Sequence, residues 1–503
     1  MATTMTIVST RSGAVGGSAA DDVRTFKGIP YAAPPFGANR LLPPQPVEPW
    51  TGVRGALAFG AEPPQPRFLA ELLFDPTAVG EDCLNLNVWA AKGRASGLPV
   101  MVWIPGGMFE VGTGASYDGS RFARDGVVCV TINYRVGPEG FLFVPDGDAN
   151  LGLRDQIAAL EWVRDNIAAF GGDPANVTIF GESAGAMSVS ALLAVPRAEG
   201  LFRRAIIQSG ADRVISATSA ERVGQFLAER LDVEPTRAAI ATVPPQRVLT
   251  AAAALKADLL ADPDPERWGL DVVSTTLPWQ PVVDGALLPG GPNERVARGA
   301  SADVAIIAGS NTEDWRLFAV IGGAIDDETD DALTGPVAEH GYRAAATYGL
   351  SEDVLAGYRA AHPAASPGDL LAAIQTDWWC RMPAIRLADA HARRRGGTWM
   401  YEFAWPSPTL GGRLGACHGL EIPFVFDTLD KGADQMVGEA LGDHPPQPLA
   451  TAMHDAWASF ARSGDPGWPR YDVDRRATMR FDTASEVVDD PRAVERALWS
   501  GIR

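Results

Sequence analysis

An α/β fold with a largely parallel central sheet is what this 503-residue sequence predicts. Three observations carry the prediction. Apolar, β-branched runs at 100–104, 127–134 and 177–180 have the length and composition of buried strands, and a helical period separates the second from the third. The order strand, helix, strand, helix implies parallel pairing. Finally, Phe180-Gly181-Glu182-Ser183-Ala184-Gly185-Ala186 sets Gly-x-Ser-x-Gly between a strand and the small, apolar, helix-like stretch 186–193. In that context the motif reads as a nucleophile elbow, a strained turn that lifts a serine hydroxyl from the sheet's carboxyl edge.

The remaining elements follow in chain order. Phe26-Lys27-Gly28-Ile29-Pro30-Tyr31-Ala32 leads into a proline-rich stretch ending at Trp50, which favours an extended segment over a surface. Arg40 there and Glu81 in Glu81-Asp82-Cys83-Leu84 are expected to form a tethering ion pair, the alternative being that both are solvated. The strand at 100–104 runs straight into Pro105-Gly106-Gly107-Met108-Phe109. Over 155–170, Ile157, Leu160, Val163, Ile167 and Phe170 recur every three or four residues, which is helical. Gly171-Gly172-Asp173-Pro174 ends that helix. Beyond Gly210 the chain is alanine-rich and reads as helical to about 268. A further strand, 304–308, opens into Gly309-Ser310-Asn311-Thr312-Glu313-Asp314, and a mainly helical region follows over 317–391. Its acidic run 326–331 and the basic triplet 393–395 read as solvated helix ends. A late strand at 399–403 precedes a long loop carrying Gly415-Ala416-Cys417-His418-Gly419. No repeat and no long linker divides the chain.

A net charge of −19 argues against nucleic acid or anionic membranes as partners and favours solubility. The first seventeen residues lack a secretory pattern, and no apolar stretch is long enough to span a bilayer. Cys83, Cys129, Cys380 and Cys417 are widely scattered without metal-ligand spacing. A reduced, cytoplasmic protein with no metal and no cofactor is the expectation.

A serine hydroxyl needs a base to become a nucleophile. Of six histidines, His340, His362, His391, His444 and His454 sit in polar or helical contexts that suit surface or capping roles. His418 instead lies between small residues just ahead of the apolar Ile422-Pro423-Phe424-Val425-Phe426. An acid must fix its tautomer. Asp314 and Glu313, at the end of a buried strand, are both candidates, and serine–acid–histidine is the chain order of α/β-hydrolases. Donors for an oxyanion would come from Ala184 and from the Gly106-Gly107-Met108 loop, each worth roughly 3 kcal/mol. Trp315 and Phe318 either shape a substrate pocket or simply pack the core.

With these motifs in place the sequence resembles the type-B carboxylesterases, which include cholinesterases and bacterial para-nitrobenzyl esterases. The likeness runs from Gly28-Ile29-Pro30-Tyr31-Ala32 through Glu81-Asp82-Cys83-Leu84 to Trp457 and Asp465-Pro466. It is densest from Asn150-Leu151-Gly152-Leu153-Arg154-Asp155-Gln156 to Gly185. The resemblance implies one α/β-hydrolase domain over 1–503, with helical insertions around a gorge. It also implies Ser183 as nucleophile, His418 as base, and donors at Gly107, Met108 and Ala184. It aligns the family's acid with Asp314, puts Glu182 and Ser209 in support of the triad, and matches Arg40 and Glu81 to a structural ion pair. The chain departs from the family at Pro105, Met108 and Trp315 and in its shorter acid, and no cysteine precedes Cys83 to make a disulfide there. The function implied is a cofactor-free serine carboxylesterase working through an acyl-enzyme on a small-molecule ester, as a monomer or weak homodimer. Carbamate or anilide hydrolysis by the same residues is the alternative, and a non-catalytic binding module, as in neuroligins, a third reading.

Overall fold

The structure, a computed structural model, describes residues 4–67, 70, 78–93, 96–327, 333, 347–430 and 436–502. The strands are β1 (Thr4–Ser9), β2 (Ala14–Ala20), β3 (Val23–Pro30), β4 (Val53–Gly55), β5 (Asn85–Ala91), β6 (Leu98–Ile104), β7 (Val128–Ile132) and β8 (Gly172–Glu182). They continue as β9 (Arg204–Gln208), β10 (Ile215–Ser216), β11 (Val282–Val283), β12 (Ala305–Asn311), β13 (Thr398–Phe403), β14 (Ala477–Phe481) and β15 (Glu486–Asp489). Among the described residues thirteen of them form one sheet, in the order β1-β2-β3-β5-β7-β6-β8-β9-β12-β13-β14-β15 with β4 beside β2. Every pairing from β7 to β14 is parallel. The successive pairings β1–β2, β2–β3, β3–β5 and β5–β7 along one flank, and that of β14 with β15 at the other, are antiparallel, while β4 joins β2 in parallel. The expected parallel sheet is therefore the centre of a larger mixed one.

The central strands are covered on both faces, which is why they read as continuous apolar runs. Val100, Val102 and Ile104 of β6 pack into one core, and Met101 and Trp103 into the other. The helices used below are α1 (Leu151–Asn166), α2 (Ala184–Ala194), α3 (Pro245–Ala261), α4 (Arg316–Ile321), α5 (Pro367–Thr376), α6 (Met382–His391) and α7 (Gln447–Ser463). α1 starts four residues before the expected helix, because Asn150, at φ 60°, turns the chain and binds Val282 through both side-chain atoms. A single π-helical turn, Asp377–Arg381, joins α5 to α6. His340 and most of the acidic run 326–331 lie outside the described residues.

Three expectations are corrected. Arg40 pairs with Glu139, at 2.5 Å, and not with Glu81. Both partners of the pair are buried, whereas Glu81 is exposed to water, which solvates it without help. His391 and His454 are core residues rather than surface ones. His391 bonds Thr398 Oγ1 at 2.9 Å, and burial lowers its pKa to about 4. His454 of α7 stacks on Phe122 and bonds Val425 O and Asp125 Oδ2.

The chain visits β7 before returning to β8 on the far side of β6, so the loops after β6 and β8 leave the sheet side by side. Such a reversal opens a crevice at the carboxyl edge. The register lines those edges up: Ile104 lies opposite Gly181, Glu182 opposite Gln208, and Gln208 opposite Gly309.

Candidate active site

Ser183 stands between β8 and α2 with φ 55° and ψ −125°. A non-glycine residue there costs about 1–3 kcal/mol and persists only where its surroundings dictate it. Here the Ser183 N–H donates to Gln208 O, and Ser183 O accepts the Met187 N–H, both at 2.9 Å. Gly185 permits the turn: a Cβ there would lie 2.0 Å from Ile104 O of the neighbouring strand.

The loop after β6 is also wound left-handed, with φ of 116°, 57° and 59° at Gly107, Met108 and Phe109. The Glu110 and Val111 N–H groups close it onto Gly107 O. The Glu110 carboxylate is tied to Lys256 Nζ of α3 at 2.8 and 2.9 Å. Among the described residues, no acceptor takes the N–H of Gly107, Met108 or Ala184.

Asp314, fully buried, accepts the Asn311 N–H on Oδ2 at 3.0 Å and faces His418 Nδ1 with Oδ1 at 2.8 Å. The His418 N–H donates to Asp314 O, which docks one loop on the other. Glu313 turns the opposite way, to the Ala416 N–H and toward Arg316. On its other nitrogen, Nε2, His418 lies 3.1 Å from Glu182 Oε1. Among the described residues no hydrogen bond joins the Ser183 hydroxyl to this ring, although both line one cavity.

Three buried carboxyl groups, those of Glu182, Asp314 and Glu421, surround this one imidazole. Burial would lower the His418 pKa, but Glu182, the hydrogen bond and charge of Asp314, and Glu421 outweigh it and raise it. Burial is the largest cause raising Glu182, and Glu421 and Asp314 add to it while His418 opposes. Glu421 is itself raised by burial and by Asp314, and takes hydrogen bonds from Gln208 and Asn311.

The cavity holds about 160 Å³ and is walled by Met108, Ser183, Ala184, Met187, Ser209, Lys256, Leu260, Thr275, Thr276, Leu277, Trp315, Phe318, Trp379, Cys380 and His418. Both expected aromatic residues are thus on its wall: Trp315 stacks on Trp379, and Phe318 lies 5.3 Å from the His418 ring. Ser209 is on the wall too. Its hydroxyl finds no partner among the described residues, so it does not support Asp314 through a hydrogen bond.

The carboxylesterase family model matches residues 4–499. The chain belongs to that family. Like its relatives, this carboxylesterase has the α/β-hydrolase fold, and it is a serine hydrolase of carboxylic esters. It is 36% identical over 504 residues to the para-nitrobenzyl esterase of Bacillus subtilis, covering 97% of each chain. It is 34% identical to the phenmedipham hydrolase of Pseudarthrobacter oxydans, again over 97% of each. Among solved structures, a thermophilic PNB esterase superposes with a TM-score of 0.85 at 35% identity, over 98% of this chain and 100% of that one. A carboxylesterase of Geobacillus stearothermophilus gives 0.83 at 37%, with the same coverage.

Several residues of the esterase's site escaped the sequence reading. Glu421 follows His418 by three positions and could have been suspected from a charge set beside an apolar run. Lys256, in α3, and Trp379 and Cys380, in the π-helical turn, carried no such signal, since the sequence around each reads only as helix. Among the described residues one trio has metal-ligand chemistry, Asp314, Cys380 and His418, whose donor atoms lie within 4.8 Å of one another.

Proposed function

We propose that Ser183 is the nucleophile, His418 its base and Asp314 the acid that orients the base. The observation that carries this reading is the 2.8 Å contact of His418 Nδ1 with a fully buried carboxylate, on the wall of the cavity that also holds the strained serine. His418 Nε2 takes the Ser183 proton as Oγ attacks the ester carbonyl, and Asp314 stabilises the imidazolium that results. The free N–H groups of Gly107, Met108 and Ala184 bind the oxyanion. His418 then returns the proton to the departing alcohol, and water, deprotonated in turn by His418, releases the acid.

Residues 1–503 act as one catalytic unit in this reading, with the helical region 317–391 supplying Trp315's neighbours on the cavity wall. Four free, buried thiols favour a cytoplasmic setting, and a monomer or weak homodimer suffices because all the proposed groups come from one chain. No described helix is long and apolar enough to cross a membrane.

An organophosphate diester should label one serine per chain, in the peptide containing Ser183, and abolish ester hydrolysis in step. Ser183→Ala should take no label and lose about 10⁶ in kcat. Label on another peptide, or near-normal hydrolysis by Ser183→Ala, overturns the assignment.

A further inference from the structure

We propose that Asp314, Cys380 and His418 form an inhibitory site for a thiophilic divalent cation of the zinc or cadmium type. The inhibition, though not the binding, rests on the reading of His418 as the catalytic base.

The three donors come from separate elements: the loop after β12, the π-helical turn and the loop after β13. A carboxylate oxygen, a thiol sulfur and an imidazole nitrogen lie within 4.8 Å of one another. Around a tetrahedral zinc-type ion, with bonds of about 2.0–2.3 Å, such donors stand about 3.3–3.8 Å apart, so small side-chain shifts close the shell. The sulfur selects soft and borderline cations over magnesium or calcium. Cys380 and His418 both face the cavity, which provides an entry path and leaves the fourth position open.

The surroundings favour a cation. Glu182, Asp314 and Glu421 place three buried carboxyl groups around a single imidazole, and the Cys380 sulfur lies within 4.8 Å of the Asp314 carboxylate. On binding, the thiol proton leaves to solvent and a sulfur–metal bond forms. The ion takes the place of the proton between His418 Nδ1 and Asp314 Oδ1, and the neutral ring carries its one proton on Nε2 instead. An acceptor is waiting there: Glu182 Oε1, 3.1 Å from Nε2, is buried and otherwise unpartnered. A ring protonated on Nε2 cannot accept the Ser183 proton, so the bound cation stops catalysis without touching the serine.

The test uses the full-length, chelator-treated protein. Cobalt(II) serves as a spectroscopic probe, and Ser183→Ala allows binding to be read without turnover. Cobalt should give a thiolate-to-metal charge-transfer band in wild type and in Ser183→Ala, and none in Cys380→Ser or Cys380→Ala. Cadmium chloride should inhibit hydrolysis of a neutral ester, EDTA should reverse it, and magnesium chloride should have no effect. Scaled to each variant's own uninhibited rate, Cys380→Ser should weaken cadmium inhibition by more than the about 10–100-fold that loss of a ligand's neighbour costs. Absence of the cobalt band in wild type overturns the site. A band without inhibition, or equal cadmium inhibition of wild type and Cys380→Ser, overturns its inhibitory role. Failure of Ser183 to take an organophosphate would instead strike the catalytic assignment and leave the cobalt result standing.

Discussion

Two clusters of buried charge lie beside different strands of the same sheet, and they are built on opposite principles. Near β7 and α1, Arg135 and Asp155 are both fully buried and meet through two side-chain hydrogen bonds of 2.8 Å; the Arg135 N–H adds a third bond to the same carboxylate. One charge answers one charge. At the carboxyl edge, Glu182, Asp314 and Glu421 share one imidazole. There the negative groups outnumber the cation: burial first, and then the neighbouring carboxylates, raise Glu182 and Glu421, and the carboxylates raise His418 against burial. A matched buried pair fastens segments, because losing either partner strands the other. A mismatched cluster holds protons more tightly than water would, and that is what an acid–base site needs.

The comparison breaks most sharply at Asp314. Asp314→Asn should lower kcat by about 10⁴, since the imidazole loses the charge that orients it, while the fold survives. Glu313→Gln, one residue away but facing Ala416 and Arg316, should be mild. Steady-state kinetics with thermal melts for both proteins decide it, and the reverse pattern would hand the role to Glu313.

The matched cluster should respond the other way. Asp155→Asn strands the Arg135 guanidinium in the core and should cost about 3–5 kcal/mol in denaturant unfolding. The kcat/KM of the folded fraction should stay near wild type. A large loss of kcat/KM without a loss of stability would show that this pair belongs to the chemistry after all.

The charge surplus itself sets the pH profile. As the proposed base, His418 would work only when neutral, and its neighbours raise its pKa above the ordinary 6.5. In chelator-treated buffer, kcat/KM should therefore climb with pH through a midpoint above 6.5. Glu182→Gln removes one negative neighbour and should move that midpoint down by about one unit. A midpoint at or below 6.5 in wild type, or one unmoved in Glu182→Gln, counts against the charge argument.

The smallest effect concerns strain rather than charge. Asn150, beside the matched cluster, adopts φ 60° with its side chain bonded twice to Val282. Met108 adopts φ 57° in the loop after β6, the proposed oxyanion loop, and lines the cavity. Glycine ordinarily costs stability through backbone entropy; the left-handed backbone at Met108 reverses that sign, and Met108→Gly should gain about 1 kcal/mol. The same change widens the cavity, so kcat/KM for a tert-butyl ester should rise relative to the ethyl ester of the same acid. An unchanged ratio means that the side chain does not restrict the alcohol.

The elbow was legible in the sequence because its demands fall at fixed spacings around one serine. A Cβ at Gly181 or Gly185 would meet Ile104 O of the neighbouring strand, so both positions carry glycine, and the strand before Ser183 announces itself by composition. The central strands were legible for the same reason, since burial on both faces leaves an unbroken apolar run. The antiparallel flank was not, because β1 to β5 alternate less cleanly and several of their residues, such as Gly16 and Gly17, carry no side chain to pattern.

What the sequence by itself determined was thus the parallel core and the elbow that carries Ser183, and it singled out His418 among six histidines as the proposed base. What only the tertiary structure decided was which groups meet. Asp314 and Glu313 are neighbours of like charge, and nothing local separates them; the docking of a loop 104 residues further on turns one toward the imidazole and the other away. Arg40 took Glu139 rather than Glu81 because those two are buried together, a fact of packing between distant segments. Cys380 reaches His418 in the same way, from the π-helical turn. A turn is dictated by backbone sterics over five residues, but the partner of a buried charge is dictated by whichever segment folds against it.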